Sequence, residues 1–332
     1  MIPSWNSASL LPGLLDSLVA RGKEFELLVV DNGSRDGTLN LLRERGVEHV
    51  VLPANVGFAA AMNRGVAATS APFVLGLNAD TVVEPGAIDT LAAALAADES
   101  LGGVQPRILQ MEAGDLGAPN VSPGSPEASG TTAAPPSDLR DLAGARLYSA
   151  GMAVTADGRA FEAGAGERQS DRWLRGREIF GVCGAACLLR RELFTELGGY
   201  DESFVSFYED VDLNVRARIA GRRFAYVPNA VVWHAGNASW QVGFERPGAE
   251  NARLVARNRI VTQARFMPAA ALPRIAAVEF GALSRAARQG RFGATLRGKL
   301  EGLARLPRAL RERRRLAASG DLDRPRAWLG RG

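Results

Sequence analysis

Cysteine is nearly absent from this chain: two in 332 residues, Cys183 and Cys187, both within VCGAAC. A lone C-x3-C lacks the four ligands of a structural zinc site, so two small buried thiols, reduced in a cytoplasm, are expected. Long apolar runs are absent too. No stretch of about 18 apolar residues occurs, which argues against a membrane-spanning helix. The most apolar part of the tail, 269–283, is broken by Pro273, Arg274 and Glu279. Met1 is followed by neither a cationic segment nor an apolar core, so no signal peptide is expected and a cytoplasmic location is. Net charge is small, +4, but unevenly spread: 266–315 holds twelve Lys or Arg against three Glu, a net of +9, which leaves −5 elsewhere. The composition is otherwise that of a soluble globular protein, long enough for a large core in one or two domains.

What is present is a repeating plan. EFELLVVDNGSRDGT (24–38) reads as a buried strand over Leu27 to Val30, then a turn cluster with Ser34 or Asp36 as cap, then a helix from Thr38 to Arg45. The plan recurs with a strand at 47–52 and a helix at 58–68, and again in APFVLGLNADTVVEPGAIDTLAAALAAD. Strands alternating with helices at this spacing predict an α/β fold with a mostly parallel sheet, its strand ends at Asp31, Asn55 and Asn78 to Asp80 along one edge. Before the first helix (about 10–20) only Met1 and Ile2 remain for a strand. Residues 111–144, rich in Gly, Pro, Ser and Ala, read as a long mobile loop. Short antiparallel strands are expected over 145–167, then a strand, a helix and a Gly-Gly stop over 184–204, and strand on both sides of Pro228.

SFYEDVDLNVRARIAG (206–221) places Glu209, Asp210 and Asp212 in four positions beside Phe207 and Tyr208. One reading is a helix start, where acids complement the macrodipole. The other is a general base whose pKa is raised by apolar and acidic neighbours. Residues 211–219 fit both strand alternation and a four-residue helical repeat; Leu, Ala, Arg and the stop at Gly221 favour helix. Asp212 points about 200° further round such a helix than Asp210 and reads as structural.

Taken in order, IPSWN (2–6), VVDNGSRDGT (29–38), NVGFAAAMNRG (55–65), LNADTVVEPGAI (77–88), FGVCGAACLLRRELFTELGGYDESF (180–204), YEDVDL (208–213), AGRRFAYVPNAVVWH (220–234) and ARNRIV (256–261) resemble glycosyltransferase family 2, inverting enzymes of GT-A (Rossmann-like) fold, and most closely its bacterial rhamnosyltransferase-like members. The resemblance spans about 2–265. It implies a nucleotide-sugar donor whose nucleoside is lined by Pro3, Ser4, Asn6 and Asp31, with Asn55, Gly57 and Asn63 following from the second strand. It implies a divalent cation, Mg²⁺ or Mn²⁺, at NAD (78–80), where Asp80 is the sole carboxylate and Asn78 stands in place of an acid, with His234 nearby. It places the base in the Glu-Asp pair: Asp210 as base, Glu209 orienting it or contacting the acceptor. Gly184, Ala185 and Ala186 leave room for the reacting sugar or simply pack.

QSDRW (169–173) matches the Q-x-x-R-W of processive synthases but precedes the acidic pair and reads as chance, which predicts transfer of one or few sugars. The implied organisation is a GT-A domain over 1–265 (nucleotide-binding half about 1–110, loop about 111–144, acceptor and catalytic half about 145–265) and a basic amphipathic helical tail over 266–332. The expected partners are the nucleotide sugar, best dTDP-rhamnose, a glycan or polyprenyl-linked acceptor of cell-surface polysaccharide, and an anionic membrane met by the tail at the inner face; no motif supports nucleic acid. Two rivals are weighed. A sugar nucleotidyltransferase would need a Gly-rich, Lys- or Arg-bearing first loop, which PSWNSAS does not offer. A catalytically degenerate binding scaffold would fit the short first strand and the neutral Asn78.

Overall fold

The computed structural model describes residues 1–19, 25–111, 144–236 and 247–330; the loop expected over 111–144 lies outside them but for its two ends. In chain order the elements are β1 (Ile2–Ser4), α1 (Leu11–Val19), β2 (Val29–Asp31), α2 (Thr38–Glu44), β3 (His49–Val51), α3 (Phe58–Ala67), β4 (Phe73–Leu77), β5 (Thr81–Val83), α4 (Ala87–Ala96) and β6 (Leu101–Gln110). Then come β7 (Leu147–Ser149), β8 (Met152–Val154), β9 (Ala160–Glu162), β10 (Arg177–Ile179), β11 (Ala186–Arg190), α5 (Arg191–Glu196), α6 (Glu209–Ile219) and β12 (Arg223–His234). Four helices follow: α7 (Pro247–Phe266), α8 (Leu272–Arg288), α9 (Phe292–Ala304) and α10 (Leu306–Ser319).

β1, β2 and β3 pair in parallel, as alternating βα units require. The first strand runs past Ile2 to Ser4. Ile2 donates to Leu28 O and Ser4 O accepts from Asn32 N, so Pro3, which has no N–H, interrupts nothing on the β2 edge. Met1 bridges this sheet to β4, donating to Leu75 O and accepting from Leu77 N at 3.1 Å. Apolar side chains of α1 and α4 (Leu11, Leu14, Leu15, Leu91, Leu95) bury one face of the sheet together with Val29, Leu77 and Val104.

The expectation of a mostly parallel sheet holds only for these first strands and for the β6–β12 pair. β11 lies between β4 and β6 and runs against both; β5 and β10 run against β12, and β7 against β6. The α/β class stands, but strand direction beyond the first hundred residues follows long excursions of the chain that local periodicity does not record. β12 is continuous through Pro228, with a register shift between Val227 and Val231 that accommodates the missing donor. Residues 209–219 are helix, not strand.

The tail packs on α7. A methyl group at Gly298 would overlap the Arg253 carbonyl oxygen, and one at Gly302 would lie 2.9 Å from Arg257 O. Glu279 of α8 is held by Arg259 of α7 at 2.6 Å and by Lys299 of α9. Gly298→Ala is therefore expected to force α9 off α7 and destabilise the protein by about 1–3 kcal/mol, read as a lower urea midpoint, whereas Gly293→Ala, where a methyl group meets nothing, is expected to change it little.

Candidate active site

β5 pairs antiparallel with the end of β12, opposing Thr81 to His234. That register sets Asp80 beside His234: Asp80 Oδ1 and His234 Nε2 are 3.1 Å apart, and Asn78 Nδ2 is 3.4 Å from the same nitrogen. Asp80 is 0% and His234 2% exposed. The Tyr148 ring stands edge-on to the imidazole, 4.4 Å between centroids. Asn78 N donates to Ala185 O at 2.9 Å, and the next amide back, Gly184 N, donates to Asp210 Oδ2 at 3.0 Å. A methyl group at Gly184 would sit 3.3 Å from that oxygen, so the small residue lets the acid close in. Val211 N donates to Asp210 Oδ1 at 2.8 Å.

Pro3, Asn78, Glu162, Glu209, Asp210 and His234 thus line one cleft of about 280 Å³. Burial, then the charge of Asp210, pushes the Glu209 carboxyl well above its usual range, and its Oε2 is buried without a hydrogen-bond partner among the described residues. Burial also raises Asp210, opposed by the amides of Gly184 and Val211. Asp212 turns away from the cleft into ion pairs with Arg216 (2.7 Å) and Arg265 (2.6 Å).

At the ends of β1 and β2, Ser4 and Asp31 are register partners, and Ser4 Oγ and Asp31 Oδ1 are both buried without a protein partner among the described residues. The other nucleoside-side candidates brace backbone. Asn6 Oδ1 accepts from Arg35 N (2.8 Å). Asn55 Oδ1 accepts from Gly57 N (2.9 Å). Asn63 exchanges two bonds with the backbone of Tyr200, each 2.9 Å. Gly57, at φ +90°, is needed because a methyl group there would lie 2.7 Å from Val205 O. None of these four lines the cleft.

Asp80 and His234 present two donor atoms 3.1 Å apart; adjacent vertices of an octahedron with metal–ligand bonds of about 2.1 Å are about 3.0 Å apart. The pair fits an ion that takes few protein ligands and keeps its other positions for water and phosphate. Among the described residues no group of three or more His, Cys, Asp or Glu is placed to hold a metal.

Residues 1–130 match the family described as Glycosyl transferase family 2. The match covers the first 130 of the chain's 332 residues. It is 28% identical over 232 residues to an N-acetylglucosaminyl-diphospho-decaprenol L-rhamnosyltransferase of Mycobacterium tuberculosis, covering 65% of this chain and 68% of the relative. It is 38% identical over 100 residues, 28% of this chain and 38% of the relative, to a PGL/p-HBAD biosynthesis glycosyltransferase of Mycobacterium bovis. Among solved structures the fold is similar to S. aureus TarS 1-349 in complex with UDP-GlcNAc (TM-score 0.50, 17% identity, 98% of this chain and 86% of that one). It is also similar to GalNAc-T7 with UDP, GalNAc and Mn²⁺ (TM-score 0.54, 16% identity, 80% of this chain), of whose length the alignment spans 49%.

Three parts of this site carry no role in the sequence reading. Glu162, in a turn-rich stretch with no motif, accepts from Ser149 Oγ at 2.5 Å. Ser149 Oγ in turn accepts from Gln105 Nε2 (2.7 Å), and Gln105 Oε1 accepts from Cys183 N (2.6 Å), next to the amide that holds Asp210. Burial pushes Glu162 up to about 7 and carries the Cys183 thiol well above its usual value. The second part is Asn258, in the quoted ARNRIV, whose amide donates to the carbonyls of Phe204, Ser206 and Phe207 at 2.9, 2.8 and 2.7 Å. These bonds hold a segment in which Val205, Phe207 and Tyr208 have φ between +66° and +70°, conformations that cost about 1–3 kcal/mol each. Arg257, the third, adds bonds to Ser203 O and Phe204 O. QSDRW, by contrast, lies off the cleft: Trp173 is buried and Gln169 Oε1 accepts from Arg107 Nη1.

Asn258→Ala leaves three carbonyls without their donor and is expected to lower stability by about 2–4 kcal/mol, measurable as a reduced chemical-denaturation midpoint. Glu162 binds its proton more tightly folded than unfolded, so its contribution is full below about pH 4.5 and is lost as pH rises to about 7. Stability curves at pH 5 and pH 7.5 are expected to show a fall of up to about 3 kcal/mol that Glu162→Gln reduces.

Proposed function

We propose that the protein transfers a single sugar, with inversion, from a nucleotide-sugar donor to a hydroxyl of a glycan or polyprenyl-linked acceptor, with a divalent cation as cofactor. The observation that carries this reading is that Asp210 and Glu209 share one cleft with Asn78 and His234, the latter 3.1 Å from Asp80. The nucleoside lies toward Pro3, Ser4 and Asp31, where two buried polar atoms wait for partners; Asn6, Asn55, Gly57 and Asn63 keep the loops around it in shape. Asp80 and His234, with Asn78 beside them, hold the cation, which when bound offsets the negative charge on the departing diphosphate. Imidazole favours Mn²⁺ over Mg²⁺.

Two buried neighbouring acids do not both ionise readily. Asp210, whose oxygens each accept an amide, ionises first; Glu209 keeps its proton and donates a hydrogen bond to the acceptor. The acceptor oxygen attacks the anomeric carbon as its proton passes to the Asp210 carboxylate. The bond from that carbon to the diphosphate breaks, and the electron pair leaves with the nucleoside diphosphate. No enzyme nucleophile takes part. The name of the Mycobacterium tuberculosis relative, an L-rhamnosyltransferase on a diphospho-decaprenol lipid, supports dTDP-rhamnose as donor and a lipid-linked acceptor. On this reading the enzyme works at the inner face of the cell membrane in cell-surface polysaccharide synthesis, its tail toward the lipid. No described helix is long and apolar enough to cross a membrane.

The test is a thermal-shift panel of nucleotide sugars with and without Mn²⁺, followed by donor hydrolysis. A Mn²⁺-dependent shift with dTDP-rhamnose is expected. Asp210→Asn is expected to keep that shift while hydrolysis falls about 10²–10⁴-fold. Equal hydrolysis by the variant, or no nucleotide sugar bound, sinks the reading.

A further inference from the structure

Among the described residues, the outer face of the α8–α9 hairpin gathers exposed large apolar side chains. Of the large apolar side chains that stand exposed, Leu272, Phe280, Phe292, Leu300, Leu303 and Leu310 all lie within 272–310. Phe280, Leu300 and Leu303 converge on one side. The three residues 289–291 join α8 to α9, and Glu279 of α8 pairs with Lys299 of α9, eleven residues before and nine after Gly290, so the two helices run antiparallel. That pair is turned inward, since Glu279 also meets Arg259 of α7. One residue past it on each helix is a rotation of about 100°. Because the directions are opposite, the two rotations bring Phe280 and Leu300 to the same outer side, where they are 74% and 58% exposed. Ala276 and Leu283 continue the stripe at i−4 and i+3 on α8, and Leu296 and Leu303 at i−4 and i+3 on α9.

We propose that this face lies in the surface of an anionic lipid bilayer, with Phe280, Leu300 and Leu303 entering the headgroup–acyl boundary and the surrounding arginines meeting lipid phosphates. Charge decides the occupant. The segment carries +9 over 266–315, with Arg285, Arg288, Arg291, Arg297 and Arg311 exposed along the two helices and just beyond. A second copy docked through the same face would set +9 against +9, whereas a bilayer rich in anionic phospholipid offers apolar depth and the opposite charge together. The placement also suits the cleft. Val255 of α7 lines it, while Arg253 and Arg257 of the same helix carry α9 through Gly298 and Gly302. Two helix layers, α9 and α7, each about 10 Å across, therefore separate the membrane face from the site. This rests on the functional reading above only for the lipid-linked acceptor; the surface itself stands on exposure and charge.

The experiment is co-sedimentation of the whole chain with vesicles of phosphatidylcholine, alone or with 30% (~1 in 3) phosphatidylglycerol. Binding to the anionic vesicles only is expected, and Phe280→Glu with Leu300→Glu is expected to lower the bound fraction at least tenfold (~10-fold or more). Both positions are exposed, and an unchanged melting temperature and nucleotide-sugar shift certify the fold and keep the transferase reading separate. A polarity-sensitive dye on Phe280→Cys is expected to shift to the blue with the anionic vesicles. Wild type left in the supernatant, or the double variant bound as wild type, overturns the proposal. So does a dimer in light scattering that the double variant dissolves.

Discussion

The Gly184 amide donates to Asp210 at 3.0 Å, and through that contact two distant stretches of chain become one site. Gly184 and Ala185 lead into β11, the strand inserted between β4 and β6. Ala185 O accepts from Asn78 at the end of β4, so the same two-residue segment reaches both the acid pair and the end of β4. The geometry needs a residue without side-chain bulk at 184, because Oδ2 already lies at contact distance from where a Cβ would be. Whatever moves β11 moves Asp210 relative to Asp80 and His234.

Burial does the electrostatic work. Glu162, Glu209 and Asp210 are all raised, each chiefly by desolvation, and are distinguished by their hydrogen bonds. Asp210 receives two backbone amides, one from the first turn of its own helix. These acids start a helix, and the catalytic role proposed for them rests on the same arrangement, since the unpaired amides at a helix N-terminus are what steady a carboxylate there. Asp212, two residues on, spends its charge on Arg216 and Arg265 and ties α6 to the end of α7.

Behind the acids stands a line of mechanical support. The glycines of α9 let it sit against the backbone of α7; Asn258 and Arg257 on α7 hold the carbonyls of 203–207; and that segment, with three side-chain-bearing residues at positive φ, delivers Glu209 and Asp210 to the cleft. Strain of this kind persists only where surrounding contacts over-determine it. The tail is thus part of the scaffold of the site on one face, and on its other face presents apolar side chains outward.

Local chemistry was enough to read the βαβ plan of the first hundred residues, the helix at 209–219, the buried thiols and the acids that carry charge into the interior, because periodicity, turn residues and side-chain type act over a few positions. The ordered motifs also pointed to Asn78, Asp80, His234 and the Glu209–Asp210 pair, which the fold gathers around or just behind one cleft. Tertiary structure alone decided the antiparallel course of β11, the bracing roles of Asn6, Asn55, Gly57 and Asn63, the entry of Glu162 through Ser149 and Gln105, and the clamp of Asn258 on a loop fifty residues away in sequence. Each of those depends on contacts between segments far apart in the chain, and no local pattern of residues records which distant carbonyl or amide a buried polar group will find.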